Sequence, residues 1–239
     1  MSERLLVVFA RAPRSEARDK GLPEEPASSF FAAIAQAWTE AARLAGARVA
    51  ISAPPEDLAA WRHALPDSAG VLWIVQRGGE FGSRLEDTVR RAERLAGRVV
   101  VTGGDVVPAP SALCEAFRAL DAGADAILAP APDGGVSILA LPRDPDLLRS
   151  IGRRRRDVFE HLQRDLSSRG RDVAVVTALA DVDGPGALRN VAVPGDLGTL
   201  LSRIRRACRP TIRRERPAPR AGRAPLRSSA ILRGPPAAA

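Results

Sequence analysis

The chain predicts an α/β fold, a three-layer sandwich in which helices cover both faces of a mostly parallel sheet. Three observations lead there. Short apolar runs without polar alternation, among them Arg4–Ala10, Val71–Val75 and Arg98–Thr102, read as strands covered on both faces. Between these runs lie segments with apolar residues at three- and four-residue spacing, the pattern of a helix packed on a sheet. Repeated strand–helix units with right-handed crossovers then make most neighbouring strands parallel. With 239 residues the chain can bury a sizeable core without a disulfide or a structural metal.

Taken in order, Arg4–Ala10 is the first strand, followed by a polar loop from Arg11 to Pro26. A helix is expected from about Ser29 to Ala45, because Phe31, Ile34, Trp38 and Ala41 share one face and Gly46 stops it. Arg48–Ser52 is a second strand, and Pro55–Ala64 a short helix opening at a position where proline is tolerated. Val71–Val75 is a third strand. Ser83-Arg84-Leu85-Glu86 has the spacing of a capping box, and Leu85, Val89, Ala92 and Leu95 carry that helix to Gly97. Arg98–Thr102 is the central strand, with a helix over Ser111–Leu120 behind it. Ala126–Pro130 and Val136–Leu141, joined through Asp133-Gly134-Gly135, form a late antiparallel hairpin. A helix from about Arg156 to Ser168, a strand at Val173–Val176 and a helical turn after Pro185 complete the body.

The net charge of +8 is unevenly placed. Residues 203–239 hold eleven Arg and one Glu, a net of +10 that leaves −2 on residues 1–202. The division is therefore a domain over 1–202 and a disordered Arg-, Pro- and Ala-rich tail over 203–239. Such a tail could contact a polyanion weakly, in a salt-dependent way. No aromatic residue interleaves its arginines to stack on bases. No apolar run of about 18 residues and no basic-then-apolar leader is present, so neither a membrane span nor secretion is expected, and the cytoplasm is the default location. Cys114 and Cys208 stand far apart and suggest no framework. Lys20 is the only lysine, beside 35 arginines.

Chemistry concentrates at the ends of strands. Val99-Val100-Val101-Thr102 runs into Gly103-Gly104-Asp105, which puts a carboxylate on a flexible turn where open α/β sheets bind ligands. Asp133 and the pair Asp181 and Asp183 also follow strands. Two such aspartates converging on one cleft suit a metal that bridges a nucleotide diphosphate. The alternatives are structural: Asp105 bonding its own turn, Asp133 making a tight Asp-Gly turn, Asp183 capping the turn near Pro185. In the loop after the first strand, Arg11 and Lys20 are candidate phosphate contacts, though a solvated charged loop explains them too. Gln76 to Arg84 brings glycines, Gly82 among them, and Arg84 to a helix N-terminus, where an anion is favoured. Arg153–Arg156 precedes a helix and reads as a solvated run that an anionic ligand could exploit. No Ser-His-Asp or Cys-His arrangement is visible.

From Leu5 to Val191 the chain resembles, in order and spacing, a bacterial family of glycosyltransferase-A-like transferases. The family is often described as radical-SAM/selenodomain-associated, and is related in fold to the molybdenum-cofactor and phospholactate nucleotidylyltransferases. Phe9-Ala10-Arg11-Ala12-Pro13 is similar to its F-A-K-A-P, and Gln76 to Leu85 resembles Q-x-G-x-D-L-G-x-R-M with Gly82 and Arg84 kept. Gly103-Gly104-Asp105 looks like G-S-D, Asp133-Gly134-Gly135 like E-D-G-G, and Asp181-Val182-Asp183-Gly184-Pro185 like D-V-D-T-P. The departures are in the opening loop, where P-G-x-x-K-T-R-L becomes Ser15 to Leu22, after Asp105, where C-P-D-L becomes Val106 to Ala109, and where W-S-T becomes Arg153 to Arg155.

The resemblance implies the nucleotide-diphospho-sugar transferase (GT-A-like) fold and a metal-dependent transferase with a nucleotide-activated donor, first of all a glycosyltransferase. Asp105 and Asp183 would hold Mg²⁺ or Mn²⁺, with Asp105 and Asp133 as the catalytic pair. Arg11, Lys20, Gly82, Arg84 and Gly103 would contact the nucleotide and its phosphates. The expected partners are a nucleotide or nucleotide sugar and a small-molecule acceptor. An inactive nucleotide-binding or scaffolding member and a nucleotidylyltransferase remain as alternatives.

Overall fold

A computed structural model describes residues 3–65, 69–141, 144–151, 157–193 and 195–214. Its seven-stranded sheet comprises β1 (Arg4–Phe9), β2 (Arg48–Ala53), β3 (Leu72–Val75), β4 (Arg98–Gly103), β5 (Ala126–Pro130), β6 (Val136–Ala140) and β7 (Val173–Val175), in the order β3-β2-β1-β4-β6-β5-β7. All neighbours pair in parallel except β6, which is antiparallel to both β4 and β5. The helices are α1 (Pro13–Asp19), α2 (Glu24–Leu44), α3 (Leu58–Ala64), α4 (Phe81–Ala92), α5 (Pro110–Asp121), α6 (Pro145–Ile151), α7 (Val158–Ser168) and α8 (Gly195–Arg214). The expected mostly parallel sheet and late antiparallel hairpin are both present.

The strand period of two explains why β1 is apolar from Leu5 to Phe9. Leu6 and Val8 enter a core under α2, α5 and α8, whereas Leu5 and Val7 enter a second core under α4, α6 and α7. A sheet buried on both faces leaves no position for polar alternation. Trp38 of α2, fully buried, donates its indole N–H to the carbonyl of Val106 at 3.0 Å and so ties the first layer to the loop after β4.

Several local expectations are corrected. The loop expected over Arg11–Pro26 contains α1, which starts at Pro13 and carries Glu16 in its first turn. Its buried face is only Pro13 and Ala17, too short for an apolar period to show. The second helix begins at Glu24, with two glutamates favourably placed in its first turn. Ser83 caps nothing, because α4 begins two residues earlier at Phe81, and the capping box is only a coincidence of spacing. α8 continues past the boundary expected at residue 202, since Leu201, Ile204 and Cys208 form a buried stripe on it. Residues 215–239 and the Arg153–Arg156 run lie outside the described residues. Among the described residues no helix is long and apolar enough to cross a membrane.

The sheet order places β2 and β3 on one side of β1 and β4 on the other. The crevice at the carboxyl ends of β1 and β4 is therefore the switch point at which such sheets receive ligands.

Candidate functional site

A cleft of about 480 Å³ opens at this switch point. Its wall includes Arg11, Arg84, Gly103, Asp105, Asp133 and Asp183, six of the eight residues that the sequence nominates. Glu16, Gln76 and Asp181 line it too.

One side is cationic. Arg84, in the first turn of α4, has a buried Nε without a hydrogen-bond partner among the described residues. The Arg84 side chain also lines the cleft, where its positive charge favours an anion. Arg11 is differently placed: its guanidinium bonds Asp19 at 2.5 Å and lies 3.5 Å from the buried Asp57. Gln76 is buried and donates to the carbonyl of Ser52 at 2.8 Å, which clamps the ends of β2 and β3 beneath the cleft.

The other side is acidic. Val182 N–H donates to the carbonyl of Asp105, Val107 N–H donates to that of Ala180, and Val106 bridges Asp181 in antiparallel fashion. These bonds zip the loop after β4 to the segment 180–183. In an extended segment Asp181 and Asp183 face one side while Val182, fully buried, faces the other. Carboxylate oxygens of Asp133, Asp181 and Asp183 all come within 4.8 Å of one another. Three hard oxygen donors with open solvent beyond them fit a divalent cation that keeps positions free for phosphate oxygens. Asp133 also accepts the N–H of Gly135 at 2.8 Å, so the structural role of that Asp-Gly turn is met as well.

The predicted metal pair behaves otherwise. Asp105 and Asp183 do converge, but the ammonium of Lys20 stands between them, 2.6 Å from Asp105 and 2.7 Å from Asp183, with Glu16 at 3.4 Å. Lys20 thus meets carboxylates where a phosphate contact was expected. Gly82 is not on the cleft wall at all. It is buried beneath α6, where an added Cβ would lie 2.5 Å from the Arg149 carbonyl oxygen. Its bareness serves packing of α4 on α6, and Gly82→Ala is expected to cost about 1–3 kcal/mol in urea unfolding, because backbone must move. At Gly103 an added Cβ would press on the Asp105 carboxylate, which would have to shift.

Burial, then the charges of Asp183, Asp105 and Asp133, lift the Asp181 carboxyl from 3.8 to about 7. Burial and Asp105 also raise Glu16, against the pull of Lys20. The native state therefore retains a proton on Asp181 that the unfolded chain sheds near pH 4. That contribution to stability is complete below about pH 4 and is lost as pH rises through about 7. Asp181→Asn is expected to flatten this part of the Tm–pH curve between about pH 4 and 7, and an unaltered curve would contradict the assignment.

The signal for Asp181 was its two-residue spacing from Asp183. Glu16 carried none, because its approach to Asp105 depends on a helix that the local pattern does not announce.

Residues 36–153 match the model of a family described as an uncharacterized protein conserved in bacteria (DUF2064). That stretch contains Arg84, Asp105 and Asp133 and stops before Asp181. No curated protein matches the sequence. Among solved structures, a protein of Desulfovibrio desulfuricans G20, provisionally named a nucleotide-diphospho-sugar transferase, gives a TM-score of 0.69 at 21% identity. It is matched over 90% of this chain and 98% of its own. The bifunctional IspDF of Campylobacter jejuni gives 0.51 at 11% identity, over 81% and 55% of the two chains. A Bacillus anthracis protein, provisionally named a glucose-1-phosphate thymidylyltransferase and solved with sucrose, gives 0.50 at 12% identity, over 82% and 98%. Identities this low speak to the fold. The family match covers just under half of the chain, and the chain shares the fold of the Desulfovibrio protein.

Proposed function

We propose that the protein is a transferase that takes a nucleotide-activated donor, a nucleotide sugar in the first instance, and passes its sugar to a small-molecule acceptor in the cytoplasm. The observation that carries this reading is the polarity of the cleft at the switch point. An unpaired Arg84 guanidinium nitrogen stands on one side and the Asp133, Asp181 and Asp183 carboxylates on the other. A diphosphate spans such a site well. Its oxygens meet Arg84, and an ion held by the three aspartates, Mg²⁺ or Mn²⁺, would neutralise the charge that grows on the leaving diphosphate. Phe81, 43% exposed on the cleft wall and edge-on to Phe9 at 5.4 Å, offers an apolar face for the base or the sugar. Nucleotidyl transfer would use the same parts with a different bond broken.

A second reading is favoured by one observation. In this chain the segment Arg14–Gly21 spends its cations on carboxylates: Arg14 on Glu24 and Glu25, Arg18 on Glu24, Lys20 on Asp105 and Asp183. A protein that binds nucleotides without transferring them would tolerate this.

A thermal-shift panel of nucleoside diphosphates and nucleotide sugars, with and without Mg²⁺ or Mn²⁺, tests the proposal. A ligand at about 100 times its Kd adds roughly 2.7 kcal/mol. For a body of this size that raises Tm by about 5–10 °C. Arg84→Met is expected to weaken the best ligand about tenfold or more while leaving the unliganded Tm within a few degrees. Silence across the whole panel would remove both readings, whereas binding without turnover of any nucleotide sugar would favour the second.

A further inference from the structure

We propose that the Lys20 ammonium is a resident cation of the site. It holds the position between Asp105 and Asp183 that a divalent ion would otherwise take, so an added ion is met by Asp133, Asp181 and Asp183 without Asp105. The inference rests on the reading of the cleft as a metal–diphosphate site, and it departs from the pair that the sequence nominates.

Three independent features support it. The first is geometry: one nitrogen lies within 2.7 Å of oxygens on both carboxylates, with only 11% of the lysine side chain exposed. That spacing leaves no volume for a second cation between the same two oxygens, and two adjacent positive charges would repel strongly in a partly dry site. The second is backbone anchoring. Lys20 closes α1, where its N–H meets the Glu16 carbonyl and the next two N–H groups meet Arg18 and Ala17. Leu22 and Ala17, both buried, lock that turn, and the Lys20 carbonyl lies 3.3 Å from where a Cβ on Gly184 would stand. The ammonium is thus delivered by a fixed turn, not by a loose surface chain. The third is choice of residue. In a chain with 35 arginines the single lysine stands here. A compact point charge can sit between two carboxylates as an ion does, whereas a planar guanidinium fork needs more room.

The test is Mn²⁺ binding, by titration calorimetry and electron paramagnetic resonance, to the full-length wild type, Asp105→Asn, Lys20→Met and the double variant. The wild type and Asp105→Asn are expected to bind Mn²⁺ within about threefold of each other. Lys20→Met opens the Asp105–Asp183 position and is expected to bind at least about tenfold more tightly, a gain that the double variant loses. A large loss of Mn²⁺ binding on Asp105→Asn alone would overturn the inference while leaving the transferase reading intact, and this comparison does not depend on Lys20→Met folding. Equal affinity of the wild type and folded Lys20→Met would overturn it as well. Mn²⁺ binding by Lys20→Met but not by the wild type would overturn the three-aspartate ion position and remove metal dependence from the proposed function.

Discussion

Asp183→Asn is expected to lower metal-dependent nucleotide affinity by at least about 100-fold, the larger end of what losing a ligand or its immediate support costs. Asp183 belongs to both charge sets of the cleft. It bonds Lys20 at 2.7 Å, and it is one of the three carboxylates that approach one another within 4.8 Å. The amide keeps the shape but removes the negative charge, so both the ammonium and an added ion lose a counter-charge. Half of the side chain is exposed, at 49%, so folding should suffer little, by about 1 kcal/mol or less. Titration of Mn²⁺ and of the best nucleotide, beside a urea melt, separates the two effects. A variant that binds the metal–nucleotide pair as the parent does would place the ion elsewhere.

The largest loss of stability is expected at Trp38. Its side chain is fully buried in the core under α2, and its indole N–H satisfies the Val106 carbonyl. Trp38→Ala should cost about 3–5 kcal/mol, the range for emptying a buried aromatic site. Trp38→Phe should retain most of the packing. It leaves the carbonyl unpaired, at about 1–3 kcal/mol. The two variants together distinguish volume from hydrogen bonding. Because Val106 follows Asp105, the phenylalanine variant should also loosen the acidic side of the cleft, read as weaker Mn²⁺ binding at unchanged Arg84-dependent binding of diphosphate alone. Equal unfolding midpoints for the parent and Trp38→Phe would show that this bond adds nothing.

Lys20 and Arg84 stand differently at the cleft. Arg84 has a buried Nε without a partner among the described residues, while Lys20 meets Asp105 and Asp183. The segment Arg14–Lys20 lies in and at the end of α1, and its cations meet carboxylates.

Local pattern alone determined the alternation of strands and helices, the late antiparallel hairpin and the places where acids follow strands. Each of these is encoded by residues a few positions apart, through periods of two and 3.6 and through Asp-Gly turns. The same pattern misplaced the start of α4 and missed α1, because a single turn's worth of buried alanine and proline carries no period. Only the tertiary structure decided what the acids meet. Lys20 is 85 residues from Asp105 and 163 from Asp183, so their meeting depends on how α1 closes over the ends of β1 and β4. It also revealed that Gly82 serves helix packing and that Asp181, lifted by burial and neighbouring charge, joins Asp133 and Asp183. Electrostatics in a cleft is a property of distances between segments, and those distances are set by the packing of the whole chain.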